Sequence, residues 1–102
     1  MLKPDPLLWS AIENRRMIRL VYHGKGRLVE PHDHGVLNGS AQLLGYQIAG
    51  ASSRRLPNWI LMKVNEIQKL ELSDRTFAGG RPTASGKHLQ WDTLFIRVQA
   101  AG

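Results

Sequence analysis

Residues 17–30, with the sequence MIRLVYHGKGRLVE, decide the fold that we predict for this chain. Three apolar side chains in the first half of this stretch occupy every second position, namely Ile18, Leu20 and Tyr22. That period of two predicts a β-strand with one buried face. Residues 23–26 predict a turn, because their glycines readily adopt the positive φ angles of a tight reversal. A second short strand is predicted over residues 27–30, and Pro31 is expected to limit its pairing because proline donates no backbone hydrogen bond.

Further strands are predicted on the C-terminal side of this hairpin. Asn38 and Gly39 form the strongest hairpin signal, because both residue types tolerate positive φ angles. Apolar and extended patterning predicts strands over residues 41–48, 59–64, 67–72 and 93–99. Residues 50–57 are predicted as a loop, 73–76 as a turn and 79–90 as a flexible connection, since Gly, Ser, Thr and Pro dominate the last of these segments.

On the N-terminal side, the sequence predicts one short helix. Asp5 is a good N-cap residue, and Pro6 suits the first helical position. Helical spacing places four apolar side chains on one face, namely Leu7, Leu8, Ala11 and Ile12. Arg15 and Arg16 are then expected at the end of the helix, where positive charge suits the negative end of the helix dipole.

One helix followed by short strands with glycine turns predicts a mainly β fold, a small β-barrel. The length of 102 residues suits one domain. We predict the barrel and its leading helix over residues 1–78 and the flexible connection at 79–90. An extra C-terminal strand within residues 91–102 is expected to complete the barrel or to pair with a neighbouring chain. Trp9 is expected in the core, where it would cover the open end of the barrel.

The composition favours a polyanionic partner. Fourteen Lys and Arg against eight Asp and Glu give a net charge of +6, and such an excess attracts nucleic acid and other polyanions. Because the chain has no cysteine, disulfides, thiolate metal sites and cysteine nucleophiles are excluded. No apolar run approaches the ~20 residues of a membrane span, and no signal peptide is recognised, so we expect a cytoplasmic protein with no membrane contact.

Several short strings carry a family resemblance. The most specific is RLVEPH at residues 27–32, which matches an R-x-V-E-P-H pattern. The others are AIENRRMIRLVYHGK at residues 11–25, QLLGY at 42–46, MKVNEI at 62–67, and Phe77. Together they resemble the WYL domain family of bacterial regulators. Gln42-Leu43 stands where that family has its Trp-Tyr pair, and Asn65-Glu66 stands where it has an Asp-Arg pair.

The resemblance spans roughly residues 8–78, enough for one small barrel, and it implies an SH3-like or Sm-like β-barrel. Domains of the WYL family usually follow a DNA-binding helix-turn-helix. They are thought to sense nucleic acid or nucleotide ligands through a basic surface that carries aromatic residues. The single short helix predicted here leaves no room for a helix-turn-helix. The resemblance therefore implies a stand-alone sensor module that takes part in transcription regulation.

The candidate ligand-binding residues are basic and aromatic. The main set lies on predicted strands and consists of Arg19, Arg27, Tyr46 and Lys63. Arginine offers a fork of donors that fits a phosphate, lysine offers a point charge, and a tyrosine ring can stack a base. Arg54 and Arg55 in the predicted loop are a second candidate for contact with a phosphate backbone. His32 is expected to have a ligand-binding or structural role near the barrel rim, and Trp59 is a possible stacking platform. In the alternative interpretation these charges only keep a small barrel soluble, with Tyr46 in its core.

Metal binding, cofactor binding and catalysis are not predicted. On a strand, His32 and His34 would point to the same side, as a chelate requires, but the sequence places no obvious third ligand beside them. The other histidines, His23 and His88, lie elsewhere in the chain. The carboxylates are scattered, and nothing in the sequence pairs them with one another for catalysis: Glu30, Asp33, Glu66, Glu71, Asp74 and Asp92. A ribonuclease that uses His23, His32 and Lys63 stays open as a less favoured alternative.

The leading hypothesis is a stand-alone ligand-sensing regulatory domain without enzymatic activity. Its ligand would be a nucleotide-containing molecule or a single-stranded nucleic acid. The alternative is a protein-interaction or oligomerisation module, in which an exposed edge holds a regulatory partner or a second copy of the chain as a homodimer. The two hypotheses differ in whether the main basic and aromatic residues cluster on one exposed face.

Overall fold

The computed structural model describes residues 2–82 and 89–101. These residues form one helix and six strands: α1 (Pro6–Glu13), β1 (Arg16–Tyr22), β2 (Lys25–Leu37), β3 (Ser40–Gly50), β4 (Asn58–Lys63), β5 (Ile67–Thr76) and β6 (Thr93–Arg97). A 3₁₀ turn, Val64–Glu66, joins β4 to β5. The mainly β class and the single N-terminal helix predicted from the sequence are confirmed. His88 and most of the predicted connection at 79–90 lie outside the described residues.

All the strands belong to one antiparallel sheet with the order β4-β3-β2-β1-β5. The 3₁₀ turn joins the two end strands of this order, β4 and β5, an arrangement consistent with a small β-barrel-like fold. The long strand β2 pairs with β3 along one edge. On its other edge it pairs first with β1 and then, from Asp33 to Val36, with β6. The C-terminal strand therefore pairs within its own chain.

The predicted end of β2 at Glu30 is wrong, although the pairing is irregular next to Pro31, as expected. The strand continues through Pro31 to Leu37, and Pro31 lies opposite Gly45 of β3. The pairing register shifts between Pro31 and Asp33, so His32 occupies a bulge. Proline is tolerated in strands at such bulges because the ladder is already interrupted there.

The predicted turn at residues 73–76 is also wrong, because β5 runs on to Thr76, which pairs with Arg16. Arg16 donates from Nε and Nη2 to the carbonyl oxygen of Ser73, at 3.1 and 2.7 Å. Arg15 donates from Nη1 to the carbonyl oxygen of Ala78. The helix ends at Glu13, so these two arginines hold β5 and the segment after it, and the helix-dipole explanation for them is wrong.

The core lies between α1 and the sheet. Asp5 caps the helix as predicted, since its Oδ1 accepts from the backbone N–H groups of Leu7 and Leu8. The helix buries one face, made of Leu8, Ala11 and Ile12, against the apolar residues of β1. Trp9 is 37% exposed, so its predicted core position is wrong. It lies about 100° around the helix from Leu8 and points away from that face.

The Asn38-Gly39 hairpin between β2 and β3 is confirmed. Both residues have positive φ angles, 50° for Asn38 and 79° for Gly39, as a two-residue hairpin turn requires. Among residues 2–82 and 89–101, no helix is long and apolar enough to cross a membrane.

Candidate functional site

The structure divides the main sequence-predicted residues between different parts of the surface. Arg19 of β1 is exposed, and it lines a shallow groove of about 360 Å³ together with Arg27, Gly26 and Gly50. Tyr46 of β3 is half-buried and packs against Trp59 of β4.

Lys63 and Arg55 stand apart from these groups. Lys63 is exposed at the end of β4, and its backbone N–H donates to the hydroxyl of Tyr22. Arg55 is exposed on the loop before β4. The residues Arg19, Arg27, Tyr46 and Lys63 therefore do not form one exposed face.

A small cavity next to the shallow groove, called here the polar cavity, has a volume of about 150 Å³. Arg27 from β2 and Arg54 from the loop 51–57 both line it. Its other polar lining includes Ser52, Ser53 and Asn58, and its described lining contains no carboxylate. Two guanidinium groups and two hydroxyl groups around a space of this size match the size and the charge of a phosphate group.

Arg27 is held at the boundary between the groove and the polar cavity. Its Nη1 donates to Oε1 of Gln47 at 2.9 Å, and its Nη2 donates to the carbonyl oxygen of Tyr22 at 3.2 Å. The amide nitrogen of Gln47 donates to the carbonyl oxygens of Ala49 and Ala51, which fixes the orientation of Oε1. The Nε of Arg27 is buried without a hydrogen-bond partner among the described residues.

Opposing influences act on the positive charge of Arg27. Burial lowers the pKa of Arg27, the neighbouring Tyr22 raises it, and the positive charge of Arg54 lowers it. The guanidinium carbon of Arg27 lies 5.8 Å from the centre of the Tyr22 ring. Arg54 is itself fixed, because its backbone N–H donates to the Ser52 hydroxyl and its Nη2 donates to the carbonyl oxygen of Trp59. An anion between the two arginines would relieve this repulsion.

A second, larger cavity, called here the apolar cavity, has a volume of about 420 Å³. His32 and Trp59 line it together with Arg81, which follows β5, with Arg97 at the end of β6, and with Val98 directly after it. The ring of His32 meets the Trp59 ring edge-on at 4.8 Å and stacks on Phe77 at 5.7 Å. Trp59 lines both the polar and the apolar cavity.

His32 and His34 are neutral, and each ring forms hydrogen bonds with two backbone groups. His32 accepts at Nε2 from the backbone N–H of Arg81, so its Nδ1 carries the proton that is donated to the carbonyl oxygen of Glu30. His34 accepts at Nε2 from the backbone N–H of Asp5 and donates from Nδ1 to the carbonyl oxygen of Gln42. Both nitrogens of each ring are thus used by the chain. No group of three or more possible metal ligands occurs among the described residues.

This arrangement predicts that the domain loses stability in mild acid. Burial lowers the pKa of both His32 and His34 below the usual value, which is about 6.5. The unfolded chain therefore binds more protons than the folded chain below that pH. The free energy of unfolding is expected to be highest above about pH 7 and to fall as the pH drops, by up to about 1.4 kcal/mol per pH unit for each histidine.

Urea unfolding followed by circular dichroism between pH 8 and pH 5 measures this effect. We expect the midpoint to fall steadily below about pH 6.5. The double variant His32→Gln, His34→Gln, whose amides do not titrate, should have a lower midpoint but a flatter pH dependence. An unchanged wild-type midpoint across this range would contradict the neutral, buried state of the two rings.

Sequence reasoning missed two ion pairs that attach the C-terminal segment to β2. Arg81 donates from Nε and Nη2 to the two carboxylate oxygens of Glu30, at 2.7 and 3.1 Å. Arg97 makes the same two-point contact with Asp33, at 3.0 and 3.1 Å. Both carboxylates are almost fully buried, with 2% of Glu30 and 1% of Asp33 exposed. The sequence analysis predicted neither of these ion pairs.

Further contacts restrain Gly80 and Arg81, at the start of the connection 79–90 that was predicted to be flexible. The backbone N–H of Gly80 donates to the carbonyl oxygen of Gln99, and the guanidinium of Arg81 lies 4.6 Å above the Tyr46 ring. One face of Tyr46, which the sequence suggested as a stacking surface, is therefore occupied by Arg81.

The residues of the ribonuclease alternative lie in different places. His23 lines the polar cavity, and its Nε2 is hydrogen-bonded to Oε1 of Glu66 at 2.7 Å, whereas His32 lines the apolar cavity. Lys63 belongs to neither of these described linings. No single cleft in the described structure brings the three side chains together, as acid–base catalysis would require.

No family model, no curated protein and no solved structure matches this chain. The resemblance to the WYL family therefore stays an expectation that rests on its short strings.

Proposed function

We propose that this chain is a ligand-sensing domain that binds the phosphate group of a nucleotide or a single-stranded nucleic acid in the polar cavity. The observation that carries this proposal is the pair Arg27 and Arg54, which face one small polar space without a lining carboxylate. The net charge of +6 adds a general attraction for polyanions.

The binding mode follows from the donors around the cavity. Arg27, Arg54 and the hydroxyls of Ser52 and Ser53 surround the phosphate. Arg27 keeps its hydrogen bonds to Gln47 and Tyr22 and offers the phosphate the second N–H hydrogens of Nη1 and Nη2.

The remainder of the ligand lies outside the polar cavity, because about 150 Å³ is too small for a whole nucleotide. The shallow groove shares Arg27 with the polar cavity and continues to Arg19. It provides room for the sugar and for a following phosphate. This role for Arg19 and Arg27 agrees with the basic surface that the WYL resemblance implies.

The proposal assigns binding and no catalysis to the site. It changes the set of ligand-binding residues predicted from the sequence in two respects. Arg54 replaces Lys63 as the second cation at the phosphate. Trp59, which lines the polar cavity, replaces Tyr46 as the nearby aromatic ring, because Arg81 covers one face of Tyr46.

Arg27→Ala is expected to weaken the binding of a fluorescent oligothymidylate by at least about tenfold, because a charged hydrogen bond contributes about 1.5–3 kcal/mol. Binding is measured by fluorescence anisotropy at low salt. The wild-type affinity should fall linearly with the logarithm of the salt concentration, as phosphate contacts require.

Arg75→Ala is the matched control, since Arg75 is an exposed arginine on β5 that lines neither the polar cavity nor the groove. It removes the same charge and should change the affinity little. Equal losses in the two variants would overturn the proposed site.

Competition with a mononucleotide distinguishes the two ligand sources. Full displacement of the oligothymidylate at micromolar concentration indicates a site for a nucleotide, and weak displacement indicates a site for single-stranded nucleic acid.

The outer edge of β4 favours a second candidate function, a protein-interaction module. β4 is an end strand of the sheet order, and Leu61 on it is 39% exposed. An open strand edge with exposed apolar side chains can add a strand from another chain. The separation of the predicted basic and aromatic residues also agrees with this alternative.

If β4 pairs with a second copy of the chain, light scattering should give the mass of a dimer at micromolar concentration. Leu61→Lys is then expected to shift the mass to that of the monomer, because a charge on an edge strand opposes pairing. Leu89→Lys, also at an exposed leucine, is the control. A monomeric wild-type protein would contradict a homodimer through this edge.

A further inference from the structure

We propose that the apolar cavity is a separate binding site for a small, flat, apolar carboxylate. The site is distinct from the phosphate site, because the two linings share only Trp59 among the described residues and the two sites select different chemistry. It lies between the bulge of β2, the rings next to it and the two segments that follow β5 and β6.

The dimensions of the cavity fit a small molecule. Its volume is about 420 Å³, within the range of about 300–1,000 Å³ that is typical of small-molecule sites. Trp59, Leu44, Val98 and Pro82 provide apolar walls. Sites of this kind combine such walls with a small number of polar groups that orient the ligand.

The lining of the cavity contains two guanidinium groups and one carboxylate, that of Asp33. Arg81 and Arg97 both line it, and each uses Nε and Nη2 for its carboxylate partner. Among the described residues, no acceptor takes a hydrogen bond from Nη1 of either arginine. The ligand should therefore carry an acceptor, and a carboxylate matches the guanidinium group best.

The acidic residues next to the site are paired with its arginines. Glu30 is absent from the lining of the cavity, and 2% of it is exposed. Asp33 belongs to the lining, but only 1% of it is exposed, and both of its carboxylate oxygens accept hydrogen bonds from Arg97. His32 is neutral and both of its ring nitrogens are engaged. The ion pairs also hold the two guanidinium groups in fixed positions, which reduces the entropy lost when a ligand binds.

The aromatic wall favours a flat apolar body. Trp59 meets His32 and Tyr46 edge-on, at 4.8 and 5.1 Å. This cluster fixes the position of the indole that lines the cavity. A planar aromatic ligand offers a large contact area to such a wall and loses little conformational entropy on binding.

Three matched probes test the proposal: 2-naphthoate, 2-naphthalenemethanol and 2-naphthylmethylamine. They share one ring system and differ in whether the head group is anionic, neutral or cationic. Isothermal titration calorimetry on the wild-type protein should give the tightest binding for the carboxylate, at least about tenfold tighter than for the amine. Equal affinities for the three probes, or no heat from the carboxylate at millimolar concentration, would overturn the proposal.

Two variants place the binding in the apolar cavity. Ala100→Trp puts a bulky ring at an exposed lining position and should abolish naphthoate binding while the circular dichroism spectrum stays unchanged. Arg97→Lys keeps a cation for Asp33 but removes the guanidinium fork. It should weaken naphthoate at least about fivefold and leave the alcohol unaffected. Unchanged naphthoate binding in Ala100→Trp, or equal losses for both probes in Arg97→Lys, would overturn the assignment.

The competition experiment separates this site from the phosphate site. Inorganic phosphate or the oligothymidylate should not displace naphthoate, because those anions occupy the polar cavity. Displacement by either would show that one site binds both ligands and would overturn the proposal of a second site. A protein that binds naphthoate but no oligonucleotide would contradict the proposed function and leave this inference standing.

Discussion

Arg81→Ala is expected to lower the free energy of unfolding by about 3 kcal/mol. For a domain of this size that change lowers the thermal midpoint by roughly 10–20 °C. The reason is the position of Glu30, of which 2% is exposed and whose two oxygens are both bound by Arg81. Removal of the guanidinium leaves the buried carboxylate without a counter-charge. An uncompensated buried charge strongly destabilises the folded state.

The size of this effect depends on how far water can replace the arginine. The side chain of Arg81 is 47% exposed, so water can reach part of the space that it leaves. We therefore place the loss near the lower end of the range of about 3–5 kcal/mol for a broken buried pair. The contact between Arg81 and the Tyr46 ring at 4.6 Å is lost as well and contributes about 0.5–1 kcal/mol.

A double variant separates the buried charge from the lost packing. In Arg81→Ala combined with Glu30→Gln, no uncompensated carboxylate remains, so part of the stability should return. Arg75→Ala is the control and should change the midpoint of urea unfolding little, because exposed charges contribute less than about 0.5 kcal/mol. A loss in Arg81→Ala no larger than in the control would contradict a structural role for the ion pair.

Local sequence signals predicted the local features of the fold. The period of two fixes which face of β1 is buried, since Ile18 and Leu20 are both almost fully enclosed. The Asn38-Gly39 pair determines its own hairpin, because the required φ angles belong to those two residues. Asp5 likewise caps α1 with its own side chain.

Features that depend on distant partners were not predictable in the same way. Pro31 continues its strand because β3 supplies Gly45 opposite it and a bulge follows. Glu30 and Arg81 are 51 residues apart in the chain, so no local sequence pattern around either residue predicts the ion pair. One signal was present, however. Glu30 and Asp33 stand in a strand next to apolar residues such as Val29, and a carboxylate in that position requires a cation.

The candidate site shows the same limit. Strand parity indicates which side of a strand a residue occupies, but the sheet twists and bends between distant strands. Arg27 and Tyr46 therefore line different cavities or clusters although both lie on adjacent strands β2 and β3. The loop residue Arg54 meets Arg27 because of how residues 51–57 fold back, which no periodic pattern describes.

Gly35→Ala is expected to be as damaging as the loss of Arg81, with a cost of about 3 kcal/mol. A Cβ atom at Gly35 would lie 2.3 Å from the carbonyl oxygen of Thr93 and 3.0 Å from Cα of Leu94. Both contacts are with the backbone of β6, which cannot move aside as a side chain can. Overpacking costs about 1–3 kcal/mol, and more where the neighbours cannot relax.

The relaxation that is open to the protein is displacement of β6. That movement would pull Arg97 away from Asp33, of which 1% is exposed, and so add the cost of a weakened buried ion pair. Hydrogen exchange should show the consequence directly, because amides of Thr93–Arg97 would lose protection while those of β1 keep it.

Gly26→Ala is the matched control, because Gly26 lies on the same strand and a Cβ there would meet nothing within 4 Å. This substitution should change the free energy of unfolding by less than about 1 kcal/mol, in either direction. Equal stabilities of the two variants in urea would show that β6 does not approach β2 as closely as the structure describes. A loss confined to Gly35→Ala, together with faster exchange in β6, would establish the C-terminal strand as an integral part of the sheet.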